Sequence, residues 1–181
     1  VRFQLSIHGI SLDYTEAIVY KKTDAGKGEV YRPFELTPPV FANISEKVYV
    51  FASEKPKEGQ VLLKSGKAGI KGVLRLKHPA NWRAEPAQID FDLSLKGEEQ
   101  LLDFKVYPPA DQHVGTVSAE IEVDWKIYNQ ELISIEYDHI PTQTVFRPSE
   151  AKIVKIDLKK EGKRVGYIMG AGDEIPASLE Q

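Results

Sequence analysis

The clearest alternation of apolar and polar positions in this chain runs from Leu74 to Val106, LRLKHPANWRAEPAQIDFDLSLKGEEQLLDFKV. Leu74 and Leu76 oppose Arg75 and Lys77, and after a turn Ile89, Phe91, Leu93 and Leu95 alternate with Gln88, Asp90, Asp92 and Ser94. Successive side chains on a strand point to opposite faces, so period-two alternation predicts half-buried strands. Candidate strands recur from Lys47 onward, at 47–52, 60–65, 70–77, 88–95, 101–107, 115–124 and 127–137. Polar turns separate them: Lys55 to Gly59, His78 to Asn81, Lys96 to Glu99 and Pro108 to Gly115. In the penultimate strand Val117, Ala119, Ile121 and Val123 are expected inside, with Ser118, Glu120, Glu122 and Asp124 outside. Seven short strands between such turns predict an all-β fold, an immunoglobulin-like antiparallel β-sandwich over residues 39–137.

The flanks read differently. Val1, Phe3, Leu5 and Ile7 alternate with Arg2, Gln4 and Ser6, a strand whose pairing partner is expected to be missing. Residues 17–21 and 29–36 flank Thr23-Asp24-Ala25-Gly26-Lys27-Gly28, which predicts a β-hairpin. Pro38-Pro39 denies two consecutive backbone donors and marks a boundary, so 1–38 is expected to be part of a truncated β domain. Residues 138–164 read as a linker plus a strand over 151–158, with Val154, Ile156 and Leu158 opposing Lys155 and Asp157. The apolar run Val165–Met169, then Gly170-Ala171-Gly172 and Asp173-Glu174-Ile175-Pro176, predicts a strand, a glycine turn and a helix start. This short C-terminal strand-turn-helix extension, 165–181, is expected to be the truncated start of an α/β domain in a longer polypeptide.

Composition narrows the function classes. The chain has 181 residues, 41% of them hydrophobic, enough for a real core. Its 24 basic and 27 acidic residues give a net charge of −3, without the basic footprint of a nucleic-acid binder. No apolar run approaches the roughly 20 residues of a membrane-spanning helix, and the N-terminus lacks the pattern of a signal peptide. With no cysteine, disulfides, thiolate metal sites and a cysteine nucleophile are excluded.

Candidate chemistry is sparse. His8, His78, His113 and His139 are scattered, with no second ligand at metal-site spacing, and neither a catalytic set nor a cofactor motif is expected. Asp138-His139 is the notable pair, because a carboxylate can fix a histidine tautomer, although bonding to the linker backbone is the preferred reading. Glu120, Glu122 and Asp124 form an acidic column with side chains about 7 Å apart. Calcium is one reading; a solvated face balanced by lysines on the neighbouring strand is preferred. Gly170 and Gly172 at a helix start resemble an anion cradle, but Ile175 stands where a third glycine would complete a dinucleotide fingerprint. Trp82 is expected to plug the sandwich, whereas Trp125, in Asp124-Trp125-Lys126, is expected at an exposed hairpin tip suited to a glycan. Asn43-Ile44-Ser45 matches the glycosylation triplet. The candidate ligand-binding residues are therefore Trp125, Asp138, His139, Gly170 and Gly172.

Two resemblances follow from these segments. Leu74-Arg75-Leu76, Pro79-Ala80-Asn81-Trp82, Pro86, Phe91, Phe104-Lys105-Val106 and Pro108-Pro109 resemble immunoglobulin-like accessory domains of bacterial glycoside hydrolases and other extracellular enzymes. Tyr20-Lys21-Lys22-Thr23-Asp24, Lys27 to Phe34, Tyr137 to Thr144 and Gly166 to Pro176 resemble the region downstream of the catalytic domain in large bacterial PIG-L/LmbE-type deacetylases. That family's His-Pro-Asp-Asp signature is absent, since Lys77-His78-Pro79-Ala80-Asn81 lacks both aspartates. The resemblance implies a non-catalytic accessory region of a zinc-dependent hydrolase, periplasmic or extracellular, followed by a glutamine-amidotransferase-like domain. Its implied partners are neighbouring domains of the same polypeptide. A carbohydrate-binding module, and an active site that Asp138-His139 shares with missing domains, are the alternatives.

Overall fold

The computed structural model describes residues 1–26, 28–137, 140, 142–159, 166–168 and 170. Every regular element among them is a β-strand. Four open the chain as two hairpins: β1 (Arg2–Ile7) with β2 (Ile10–Thr15), and β3 (Val19–Asp24) with β4 (Gly28–Pro33). The partner expected to be missing from β1 is thus the next segment of the chain. His8 and Gly9 join the two strands with φ of +49° and +80°, the sign pattern of a tight type I′ turn.

The sandwich uses β5 (Val40–Ile44), β6 (Val48–Phe51), β7 (Lys57–Ser65), β8 (Ile70–Lys77), β9 (Arg83–Glu85), β10 (Ile89–Leu93), β11 (Glu99–Tyr107) and β12 (His113–Val123). The chain continues as β13 (Lys126–Tyr128), β14 (Gln130–Ile135), β15 (Gln143–Pro148) and β16 (Glu150–Lys155). One sheet has the order β5-β7-β11-β9; the other runs β10-β8-β12-β16-β6, with β13 also on β12. In immunoglobulin lettering β5, β7 and β11 take the places of A, B and E, and β8, β12 and β16 those of C, F and G. All pairs are antiparallel except β16 with β6, which is parallel.

The alternation explains the core. Val61 and Leu63 of β7 and Leu102, Phe104 and Val106 of β11 meet Ile70, Leu74, Phe91, Leu93, Val117, Ala119, Ile121 and Val123 from the opposite sheet. Cβ-less Gly72 lets β8 lie against its neighbours, since an added Cβ would sit 2.3 Å from the Glu122 carbonyl oxygen. Trp82, 3% exposed, is the expected plug. Its ring meets Phe51 edge-on at 5.1 Å, and its Nε1–H donates to His113 Nδ1 at 2.9 Å. His113, read from sequence as a turn residue, is thus the polar partner of the core tryptophan, in the tautomer that leaves Nδ1 free to accept.

Three local expectations are corrected. The segment 127–137 is two strands: β13 folds back on β12, whereas β14 leaves the sheet to pair with β15, in residues read as irregular. Pro148 is compatible with that outlying ladder because it stands at its end. The strand expected over 151–158 forms as β16 but lies inside the six-stranded sheet, which therefore extends past residue 137. Its buried set is also of opposite phase. Cross-strand partners share a face, so the pairs Ala151↔Val117 and Ile153↔Gly115 turn Ala151 and Ile153 inward. Lys155, only 8% exposed, follows them and gives its ammonium to the Ile156 carbonyl. Finally, β5, unassigned in the sequence reading, buries Val40, Phe41, Ala42 and Ile44. The expected helix start from Asp173 onward lies outside the described residues, and Gly166, Tyr167 and Ile168 are not in a strand. Among the described residues no helix is long and apolar enough to cross a membrane.

Because Trp82 both fills the core and makes a buried hydrogen bond, Trp82→Ala is expected to cost about 3–5 kcal/mol and Trp82→Phe about 1–2 kcal/mol in urea unfolding. Equal, small losses for the two would contradict the plug.

Candidate functional site

Two small hairpins frame a cleft of mixed polar and apolar lining against the sandwich. Hairpin β14–β15 is fastened to β5 and the loop after it by three different contacts. Asn43 acts as a side-chain copy of a strand edge: its Nδ2 donates to the Leu132 carbonyl at 3.0 Å, and its Oδ1 accepts the Leu132 N–H at 3.2 Å. Phe41 and Phe146 stack in parallel with centroids 5.9 Å apart. Glu131, its side chain only 5% exposed, is held by the Lys47 ammonium. Such a carboxylate depends on its partner, because an unpaired buried charge is costly. The Asn43-Ile44-Ser45 triplet therefore has its asparagine amide committed to the fold.

Hairpin β3–β4 reaches the same place. Arg32 pairs with Glu136 at 3.0 Å, and Ser134 Oγ donates to the same carboxylate oxygen. Between the hairpins and the sandwich lies a cleft of about 520 Å³ whose lining includes Tyr20, Arg32, Phe34, Phe41, Lys64, Lys96 and Glu136. Its floor is fixed where the Gly66 N–H donates to the Pro39 carbonyl at 2.7 Å and Ser65 Oγ to the Leu95 carbonyl. Exposed aromatic faces beside a guanidinium, ammonium groups and a carboxylate suit a polar ligand with a flat apolar side. The described lining residues include no histidine. The sequence reading missed this cleft because β3–β4 and β14–β15 are 100 residues apart and each is unremarkable alone; the aromatics at Tyr20 and Phe34 were the available signal.

A larger cleft of about 840 Å³ lies along β7, β9 and β11, lined by Glu46, Glu58, Glu85, Asp103, Phe104 and Lys105 among others. Most of its charged groups have partners. Lys105 pairs with Glu58 at 3.0 Å, Gln60 donates to Asp103 at 2.7 Å, and Glu85 holds both Arg83 and the Tyr107 hydroxyl. The hydrogen bond to Glu85 is the first cause of the raised pKa of Tyr107. Nearby, burial raises that of Tyr49. Both phenols are thereby kept neutral, the opposite of an activated base.

The residues singled out in sequence do not form one described constellation. Trp125 stands at the β12–β13 tip, 94% exposed. Asp124 and Trp125 are the two turn residues, with φ of +50° and +63°. Asp138, His139 and Gly172 lie outside the described residues, and Gly170 is exposed. Two members of the acidic column are neutralised, Glu120 by Lys77 at 3.3 Å and Glu122 by Arg75, both from the neighbouring β8, while Asp124 belongs to the turn. His78 Nδ1 lies 3.0 Å from the Pro79 carbonyl oxygen. Among the described residues no group of histidine and acidic side chains could hold a metal ion.

No protein-family model matches the chain, and no curated protein does. Among solved structures, E. coli alpha-2-macroglobulin is similar over 71% of this chain and 7% of its own length, with 13% identity and a TM-score of 0.43. A family 123 glycoside hydrolase from Clostridium perfringens aligns over 67% of this chain and 28% of its own, at 10% identity and a TM-score of 0.40. WR4, a C. elegans MSP family member, aligns over 64% of this chain and 98% of its own, at 7% and 0.35. The chain thus spans a small part of the first two. None of the three is a PIG-L-type deacetylase.

A tryptophan with positive φ costs about 1–3 kcal/mol of backbone strain, which a glycine avoids. Trp125→Gly is therefore expected to raise the unfolding midpoint. A lower midpoint would mean that the indole is there for stability.

Proposed function

We propose that this chain is a non-catalytic accessory region that spaces and orients neighbouring domains of a multidomain bacterial hydrolase of the PIG-L/LmbE type, periplasmic or extracellular. The observation that carries the accessory role is the fastening of hairpin β14–β15. Asn43, Phe41 and Lys47 tie it to the sandwich, and the exposed pair Arg32–Glu136 sets β3–β4 beside it. A passive tether needs none of these contacts, whereas an element that sets the direction between domains needs several. The parentage is supported by the residues that resemble the deacetylase family, from Tyr20 to Phe34, Tyr137 to Thr144 and Gly166 to Pro176.

A second reading, carbohydrate binding, is favoured by the exposed indole of Trp125 and by Tyr20 and Phe34 in the cleft. Affinity electrophoresis and a glycan array on the 181-residue chain separate the two readings. No saturable binding is the expected result; saturable binding lost in Trp125→Ala or in Tyr20→Ala would replace the spacer with a binding module. For the parentage, a His-Pro-Asp-Asp segment is expected upstream of Val1 in the encoding gene, and an unrelated upstream domain would contradict it.

A further inference from the structure

Hairpin β1–β2 carries an entire apolar face that none of the described residues covers. Cross-strand partners share a face, so Phe3↔Tyr14, Leu5↔Leu12 and Ile7↔Ile10 form three apolar rows on one side, continued by Val1. These seven side chains are between 44% and 65% exposed. The other side carries the rows Arg2↔Thr15, Gln4↔Asp13 and Ser6↔Ser11, with Arg2 paired to Asp13 at 2.8 Å. All twelve strand residues are exposed. A two-stranded sheet without an opposing layer is marginal in water.

We propose that this face is a homodimer interface, in which two copies pack their β1–β2 hairpins face to face about a two-fold axis. Three observations select a second copy as the occupant. The first is area: the seven half-open side chains leave roughly 600 Å² per copy, at the upper end of what a monomer ordinarily exposes in one patch, and a pair covers about 1,200 Å², the lower bound for a specific interface. The second is shape. The rows grade from an aromatic pair at the open end, Phe3 and Tyr14 with centroids 6.2 Å apart, to two isoleucines at the turn. A two-fold axis with the hairpins antiparallel sets the bulky row of one copy over the slim row of the other and keeps the layer evenly thick. The third is charge. Glu16, bonded through its backbone to Val1, brings a carboxylate to these rows, and like the Val1 amino group it stands at their open end. It remains at the solvated rim, so the pairing buries no charge. The accessory role does not depend on this interface, nor the interface on that role.

Sedimentation equilibrium and light scattering of the 181-residue chain are expected to give twice its 20.3 kDa mass. Leu5→Glu and Leu12→Glu should each raise the dissociation constant by more than about tenfold, while Gln4→Glu on the opposite face leaves it unchanged. The fluorescence of buried Trp82 checks that each variant keeps the sandwich. A monomer at about 100 µM overturns the proposal, since a specific interface binds more tightly than that. So does a dimer that survives both leucine variants. A monomer whose hydrophobic-dye binding is lost in Leu5→Glu also overturns it, and assigns the face to a different partner.

Discussion

The pairing of β12 with β8 on one side and β16 on the other is the interaction on which the rest of this molecule depends. At 11 residues β12 is the longest strand, and Val117, Ala119, Ile121 and Val123 on its inner face are the centre of the core. After the Asp124-Trp125 turn the chain folds back on it briefly as β13, leaves the sheet as β14 and β15, and rejoins the same edge at Glu150. Every residue between must be accommodated without disturbing that return. The intervening β14–β15 hairpin is stable where it lies because Asn43, Phe41 and Lys47 give it backbone, aromatic and charge partners on β5 and beyond. Closing so long a connection has an entropic cost, which these contacts offset.

The outer surfaces divide by chemistry. On the sandwich, charges are paired across strands: Lys71 with Asp92 at 2.7 Å, Lys64 with Glu99 at 2.7 Å, Arg75 with Glu122. Such exposed pairs each contribute about 0–1 kcal/mol, so their importance is that they leave a neutral, polar exterior rather than that they hold the fold. Exposed apolar groups instead concentrate in the first 36 residues, from Val1 to Leu36.

Alternation made the sandwich legible in the sequence. The strand over 70–77 forms with those bounds, and Val117 to Val123 and Trp82 are buried as their pattern required. What was hidden depended on contacts distant in sequence. The phase of β16 is set by its partner β12, and Val154 and Ile156 are apolar enough to make the opposite phase look reasonable. The β14–β15 ladder ends at Pro148, a residue that reads as a breaker when its edge position is unknown. The place of His113 is decided by an indole 31 positions away. The cleft between the hairpins could not be anticipated for the same reason, since Arg32 and Glu136 are 104 positions apart.

The central claim is that β14–β15 and the sandwich open as one body. Native-state hydrogen exchange of the backbone amides tests it directly. The account predicts that the ladder amides of β14 and β15 exchange with a protection close to that of β5 and β7, and that Asn43→Ala lowers β14–β15 protection selectively. Fast exchange of β14–β15 in the unaltered chain, with β5 and β7 fully protected, would show a loosely hung hairpin and contradict the account.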